Sequence, residues 1–163
     1  SSKKNIYKDT IEVIDMNDYS ILNLPITVRD AKGTKTTLER EKPEAYILTK
    51  EMGFLVEKIK TLGLEVEILS EDVTFSVEKF QVIEYNRDET TYEKMNLQIV
   101  KTEISSKEIL FPKGSFKIST NQKNAPLLFE VLEPEMPSSF ISFGVLKTEL
   151  NQEIPIYRLF STN

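Results

Sequence analysis

Between Ala45 and Tyr85 the spacing of apolar residues changes twice, and those changes set what the chain can build. "AYIL" at 45–48 is a continuous apolar run of strand length. Met52, Leu55, Val56, Ile59 and Leu62 then recur at intervals of three and four, which predicts a helix over about 50–62 with Thr49 as its N-cap and Leu55, Val56 and Ile59 facing a core. Gly63 follows the last apolar position and predicts a left-handed cap, with "LEVEIL" continuing at once as a strand. Beyond it the period becomes two, but Val73, Phe75 and Val77 hold one parity while Phe80 and Val82 hold the other. Leu97–Ile99 against Val100–Thr102 shows the same slip. A change of parity sends side chains to the opposite face, so a bulge or strong bend is expected in each of two long antiparallel strands, joined by the polar loop "NRDETTYEK".

The flanking segments complete the outline. Thr10–Met16 and the alternating "ILNLPITV" at 21–28 read as strands, with Pro25 on the polar side marking an edge and "DAKG" at 30–33 supplying hairpin-turn chemistry. The charged segment "EREKPEA" with Pro43 marks a junction. Further on, Ile109–Phe111 and Phe116–Ile118 flank a "PKG" turn as an expected hairpin. A helix opened at Asn124 or Ala125, with Pro126 in its first turn, should bury Leu127, Leu128, Val131 and Leu132 and stop at Pro134. The expected class is α+β: a bent antiparallel sheet with two helices at residues 44–163, preceded by a small β unit and linker at 1–43.

Composition then narrows the chemistry. The 163 residues include 21 basic and 26 acidic side chains, with no basic run longer than Lys3-Lys4, so the footprint a phosphate backbone requires is missing. No apolar run approaches the roughly 20 residues of a membrane helix. Histidine and cysteine are both absent, which removes thiolate nucleophiles, imidazole acid/base relays and His/Cys zinc sites. Only carboxylates, Lys, Tyr, Ser and Thr remain for chemistry.

Four places carry candidate function. Glu133 and Glu135 in "EPE", and Glu71-Asp72, are the densest carboxylate pairs, expected to be solvated loop charges rather than an acid/base pair or hard-cation site. Asn121 and Gln122 are expected to fasten their loop to nearby backbone, with reading of a polar ligand as the alternative. Phe140 and Phe143 are expected in the core, the alternative being an aromatic patch for a partner, peptide or glycan. The glycines are solitary and form no phosphate-cradling loop.

The order "AYIL", "LGLEVEIL", "YEKMNLQIV", "FPKGSFKISTNQ" and "LEPEMPSSFISFG" resembles the C-terminal region of bacterial zinc carboxypeptidase-like proteins of the kind met in Bacteroidetes. Gly114, Asn121, Gln122, Leu132, Glu133, Pro134 and Ser139 match that region's pattern, and the resemblance covers roughly Glu44 to Leu146. Leu62 stands where the pattern has histidine, Ser119 and Thr120 replace its Val-Pro, and Ser138 replaces an acidic residue. The resemblance implies a non-catalytic accessory piece of a longer, periplasmic or extracellular metallopeptidase. Its partner is the peptidase domain of the same polypeptide, and zinc is expected only there, because the His-x-x-Glu pair and later His that bind it cannot be placed here. A free-standing β-rich module that binds a glycan or peptide through Asn121, Gln122, Phe140 and Phe143 is the alternative.

Overall fold

The computed structural model describes residues 5–30, 36, 38–92 and 94–161, and the chain divides into two compact units, 1–41 and 42–163. In the first, β1 (Asn5–Ile14) and β2 (Ile21–Asp30) form a two-stranded antiparallel sheet. The strand expected at Thr10–Met16 begins earlier and ends before Met16, which lies in the turn. That turn is closed by side chains: the Asp15 carboxylate accepts from the Asn17 amide, the Asp18 carboxylate accepts from Ser20, and Tyr19 takes φ 60°. The pairs Tyr7–Val28, Asp9–Ile26, Ile11–Leu24 and Val13–Leu22 share one face, which is therefore apolar apart from Asp9, and Tyr7, Ile11, Leu22 and Leu24 are exposed. Of the expected "DAKG" turn, only Asp30 lies within the described residues.

The second unit is a six-stranded sheet in the order β4-β7-β3-β8-β5-β6, every pairing antiparallel, with two helices. Its strands are β3 (Ala45–Leu48), β4 (Glu67–Ile68), β5 (Val73–Tyr92), β6 (Met95–Phe111), β7 (Phe116–Ser119) and β8 (Glu153–Leu159). The helices are α1 (Gly53–Thr61), entered through a 3-10 turn at Lys50–Met52, and α2 (Ala125–Leu132). All four residues of β3 are buried, as a short continuous apolar run in a sheet covered on both faces should be. Tyr46 and Leu48 join Leu55, Ile59, Phe80, Ile118, Leu128, Leu132, Ile154 and Ile156 on the helix-covered face. Ala45 and Ile47 point the other way, to Val77, Phe111, Tyr157 and Leu159.

This two-sided core explains the parity change in β5. Val73, Phe75 and Val77 serve one face and Phe80 and Val82 the other, so plain alternation continues where a face-preserving bend was expected. In β6 the buried positions after the hairpin are Gln98 and Val100, so the slip expected at 97–102 is absent there. The register does shift on β5, between Val82 and Glu84, which leaves Ile83 as an extra residue. From that point Tyr85 pairs with Val100 and Arg87 with Gln98, so odd-numbered residues now occupy the helix-covered face.

Other expectations are corrected by pairing and exposure. Residues of "NRDETTYEK" are largely strand, with Arg87–Gln98, Thr91–Asn96 and Tyr92–Met95 paired and Lys94 at φ 68° in the turn. β6 and β7 do not pair; β7 lies between β4 and β3, and the turn between β6 and β7 is tied instead to the 69–72 segment, where Asp72 accepts from the Lys113 amide and Leu69 exchanges bonds with Gly114 and Ser115. "LEVEIL" contributes only two strand residues. Leu127 is 39% exposed because it faces away from Leu128 and Leu132.

Helix α1 ends at Gly63, whose φ of +76° has a second constraint: a Cβ there would lie 2.8 Å from the Asn124 amide nitrogen, which donates to the Leu62 carbonyl. Leu55, Val56 and Ile59 are buried. Leu55→Ala is expected to cost about 2 to 5 kcal/mol in denaturant unfolding, and a loss below about 0.5 kcal/mol would mean that this face is not the packed one.

On the opposite face the Tyr157 hydroxyl donates to Glu153, which is also paired with Lys79 at 2.7 Å. Burial, then the neighbouring Glu153 charge, push the Tyr157 hydroxyl up to about 12. The folded state thus holds this proton more tightly than the unfolded chain, so its contribution is complete below pH 10 and disappears as pH rises toward 12. The melting temperature should fall across that window, and Tyr157→Phe should flatten the fall.

Candidate functional site

The five residues singled out in the sequence go to four separate environments. Asn121 is exposed, and among the described residues its backbone amide alone is engaged, by the Ser119 hydroxyl. Gln122 accepts from the Glu65 amide at 2.8 Å and donates to the Ser119 carbonyl at 2.7 Å, clipping the 119–122 loop to the segment after α1. Asn124, expected as a helix cap, makes the neighbouring tie to Leu62 and leaves its own helix without a side-chain cap. Phe140 is buried with Ile141 and Leu146. Phe143 is partly exposed and meets the ring of Tyr92 edge-on at 6.2 Å.

Glu133 is the clear reversal, since it is 8% exposed rather than solvated. One carboxylate oxygen accepts from the Tyr46 hydroxyl at 2.5 Å and lies 3.3 Å from the Arg158 Nε. Arg158 in turn meets Glu78 at 2.7 Å. Tyr46, Arg158 and Glu78 are register partners across β3, β8 and β5, so three strands place one phenol, one guanidinium and one carboxylate side by side beneath the end of α2. Glu135 is also engaged, accepting from the backbone and hydroxyl of Thr102. These carboxylates brace the sheet; they do not converge as a free acid/base pair.

An open groove of about 1140 Å³ lies at the far end of the β5–β6 hairpin. Its lining on the hairpin includes Tyr85, Arg87 and Gln98 from the strands and Lys94 from the turn, and across from them run Phe143, Gly144 and residues 147–152. The extra residue Ile83 turns Tyr85 and Arg87 toward this face, and Gln98 holds the opposite wall. The Gln98 amide donates to the Ile141 and Leu146 carbonyls at 2.6 and 3.2 Å, and its oxygen accepts from the Tyr85 hydroxyl at 3.3 Å. Of the sequence candidates only Phe143 lines the groove. Gln98 carried a signal that was overlooked: it shares parity with Val100, so a polar residue stands in an inward row and must have partners.

The donor set does not suit the zinc that the resemblance attaches to a parent enzyme. Without His or Cys only oxygen ligands and amines remain, and among the described residues no three acidic side chains gather to hold a metal. Among them, too, no helix is long and apolar enough to cross a membrane.

Comparison with known proteins gives fungal carboxypeptidases. The chain is 30% identical over 159 residues, 98% of its length, to Carboxypeptidase 2 of Trichophyton rubrum and equally to that of Trichophyton equinum. It is 28% identical over 133 residues, 82% of its length, to Probable carboxypeptidase 2 of Arthroderma benhamiae. The chain spans about 30% of the length of the two Trichophyton proteins. These relatives are fungal, whereas the sequence motifs pointed to a bacterial branch. No family model matches the chain, and no solved structure matches it.

Proposed function

We propose that the chain is a non-catalytic accessory region of a carboxypeptidase-type zinc metallopeptidase, exported to the periplasm or the cell exterior and following the peptidase domain in the same polypeptide. The observation that supports this most is the asymmetry of the match: nearly the whole chain aligns, yet it accounts for about 30% of each Trichophyton protein. In this reading zinc and hydrolysis belong to the remaining part of the parent, and this region acts by contact with it. The apolar face of the β1–β2 sheet is consistent with such contact, since a two-stranded sheet has no core of its own and is at best marginally stable in water.

The isolated chain is expected neither to hydrolyse peptides nor to bind Zn²⁺ below about 1 μM in calorimetry. Turnover that survives chelation and repurification, or tighter zinc binding, would overturn the accessory reading. Deleting the matched segment from Trichophyton rubrum Carboxypeptidase 2 should lower its folded yield and leave the zinc content of the surviving protein intact. The alternative, a free-standing module binding a peptide or glycan, draws on the groove beside Phe143.

A further inference from the structure

We infer that the groove between the β5–β6 hairpin and residues 143–152 is a binding site for an acidic peptide segment. Three cations line it, Arg87, Lys94 and Lys147, against one carboxylate, Glu149. None of the three is ion-paired among the described residues, although Lys60, Lys79, Lys101 and Arg158 each have a carboxylate within 3.3 Å. In a chain with a net charge of −5, a cavity bordered by three cations without acidic partners is a local inversion of the protein's own field.

The Tyr85 and Phe143 rings add apolar surface, suited to side chains interspersed between acidic ones. A nucleic acid is disfavoured because the remainder of the chain is acidic and would repel a long polyanion. The inference stands on the groove and holds whether or not the chain is joined to a peptidase.

Fluorescence anisotropy with a fluorescein-labelled peptide Glu-Asp-Tyr-Glu-Asp-Leu tests it, with Gln-Asn-Tyr-Gln-Asn-Leu and an oligothymidylate of similar length as comparators. The acidic peptide should bind in the micromolar range at low salt, weaken as salt is added, and exceed both comparators by at least about tenfold in affinity. Arg87→Glu with Lys147→Glu should weaken it by about tenfold or more while the melting temperature stays close to that of the parent. No binding up to about 1 mM, or affinity unchanged within about twofold on charge reversal, would overturn the proposal. Tighter binding of the oligonucleotide would overturn it in favour of a nucleic-acid surface.

Discussion

Arg158→Met is expected to destabilise the second unit by about 3 to 5 kcal/mol, the usual cost of removing one partner from a buried ion pair. Arg158 is 3% exposed on a strand flanked on both sides, and it faces Glu133 at 3.3 Å and Glu78 at 2.7 Å. Methionine restores much of the volume, so packing alone would lose little; the cost comes from taking the guanidinium away from the Glu133 and Glu78 carboxylates that it faces. Adding Glu133→Gln to Arg158→Met should recover a large part of the loss, because the uncompensated charge is then gone. Guanidinium unfolding of the single and double variants measures both. A single-variant loss under about 1 kcal/mol, or a double variant as unstable as the sum of the singles, would show that the charges are effectively hydrated.

Phe111→Ala should cost about 3 to 5 kcal/mol. Its ring is wholly buried, tilted against Phe75 at 6.1 Å and edge-on to Tyr157 at 5.2 Å. The face opposite the helices is built from few large residues, so removing this ring leaves a cavity that β5 and β8, fixed by their ladders, cannot close. Phe111→Leu should cost much less. Equal losses for the two variants, read by thermal or denaturant unfolding, would show that cavity volume is not the cause.

Where the cause was local, the sequence was readable. β3, α1 and α2 follow from a continuous run, a three-and-four spacing and a proline at the second helical position, each within a dozen residues. β8 escaped because Pro155 and Arg158 interrupt a strand-like reading. The structure places Pro155 where β8 shifts register against β5, between the pairs Phe80–Ile154 and Lys79–Tyr157, so its missing N–H breaks no ladder bond. Missing β8 also concealed the fate of Glu133, since its cation lies on that strand. The β6–β7 hairpin was a sound local inference that lost to a non-local pairing with β3. The groove depends on the insertion of Ile83 and on a hairpin continuing through residues rich in Asn, Asp and Thr, which propensity assigns to a loop.

The place of β8 has a consequence for how the protein is made. β3 and β5 leave the ribosome before β8, but they have no edge in common; the strand that joins them begins some sixty residues after β5 ends. Until Leu159 has emerged, the six-stranded sheet can exist only as two halves, β4-β7-β3 and β5-β6, each presenting an unpaired edge. Vectorial synthesis therefore leaves an interval in which these halves are open to chaperones or to the edges of neighbouring chains, and completing the sheet is a late, all-or-none insertion of one seven-residue strand.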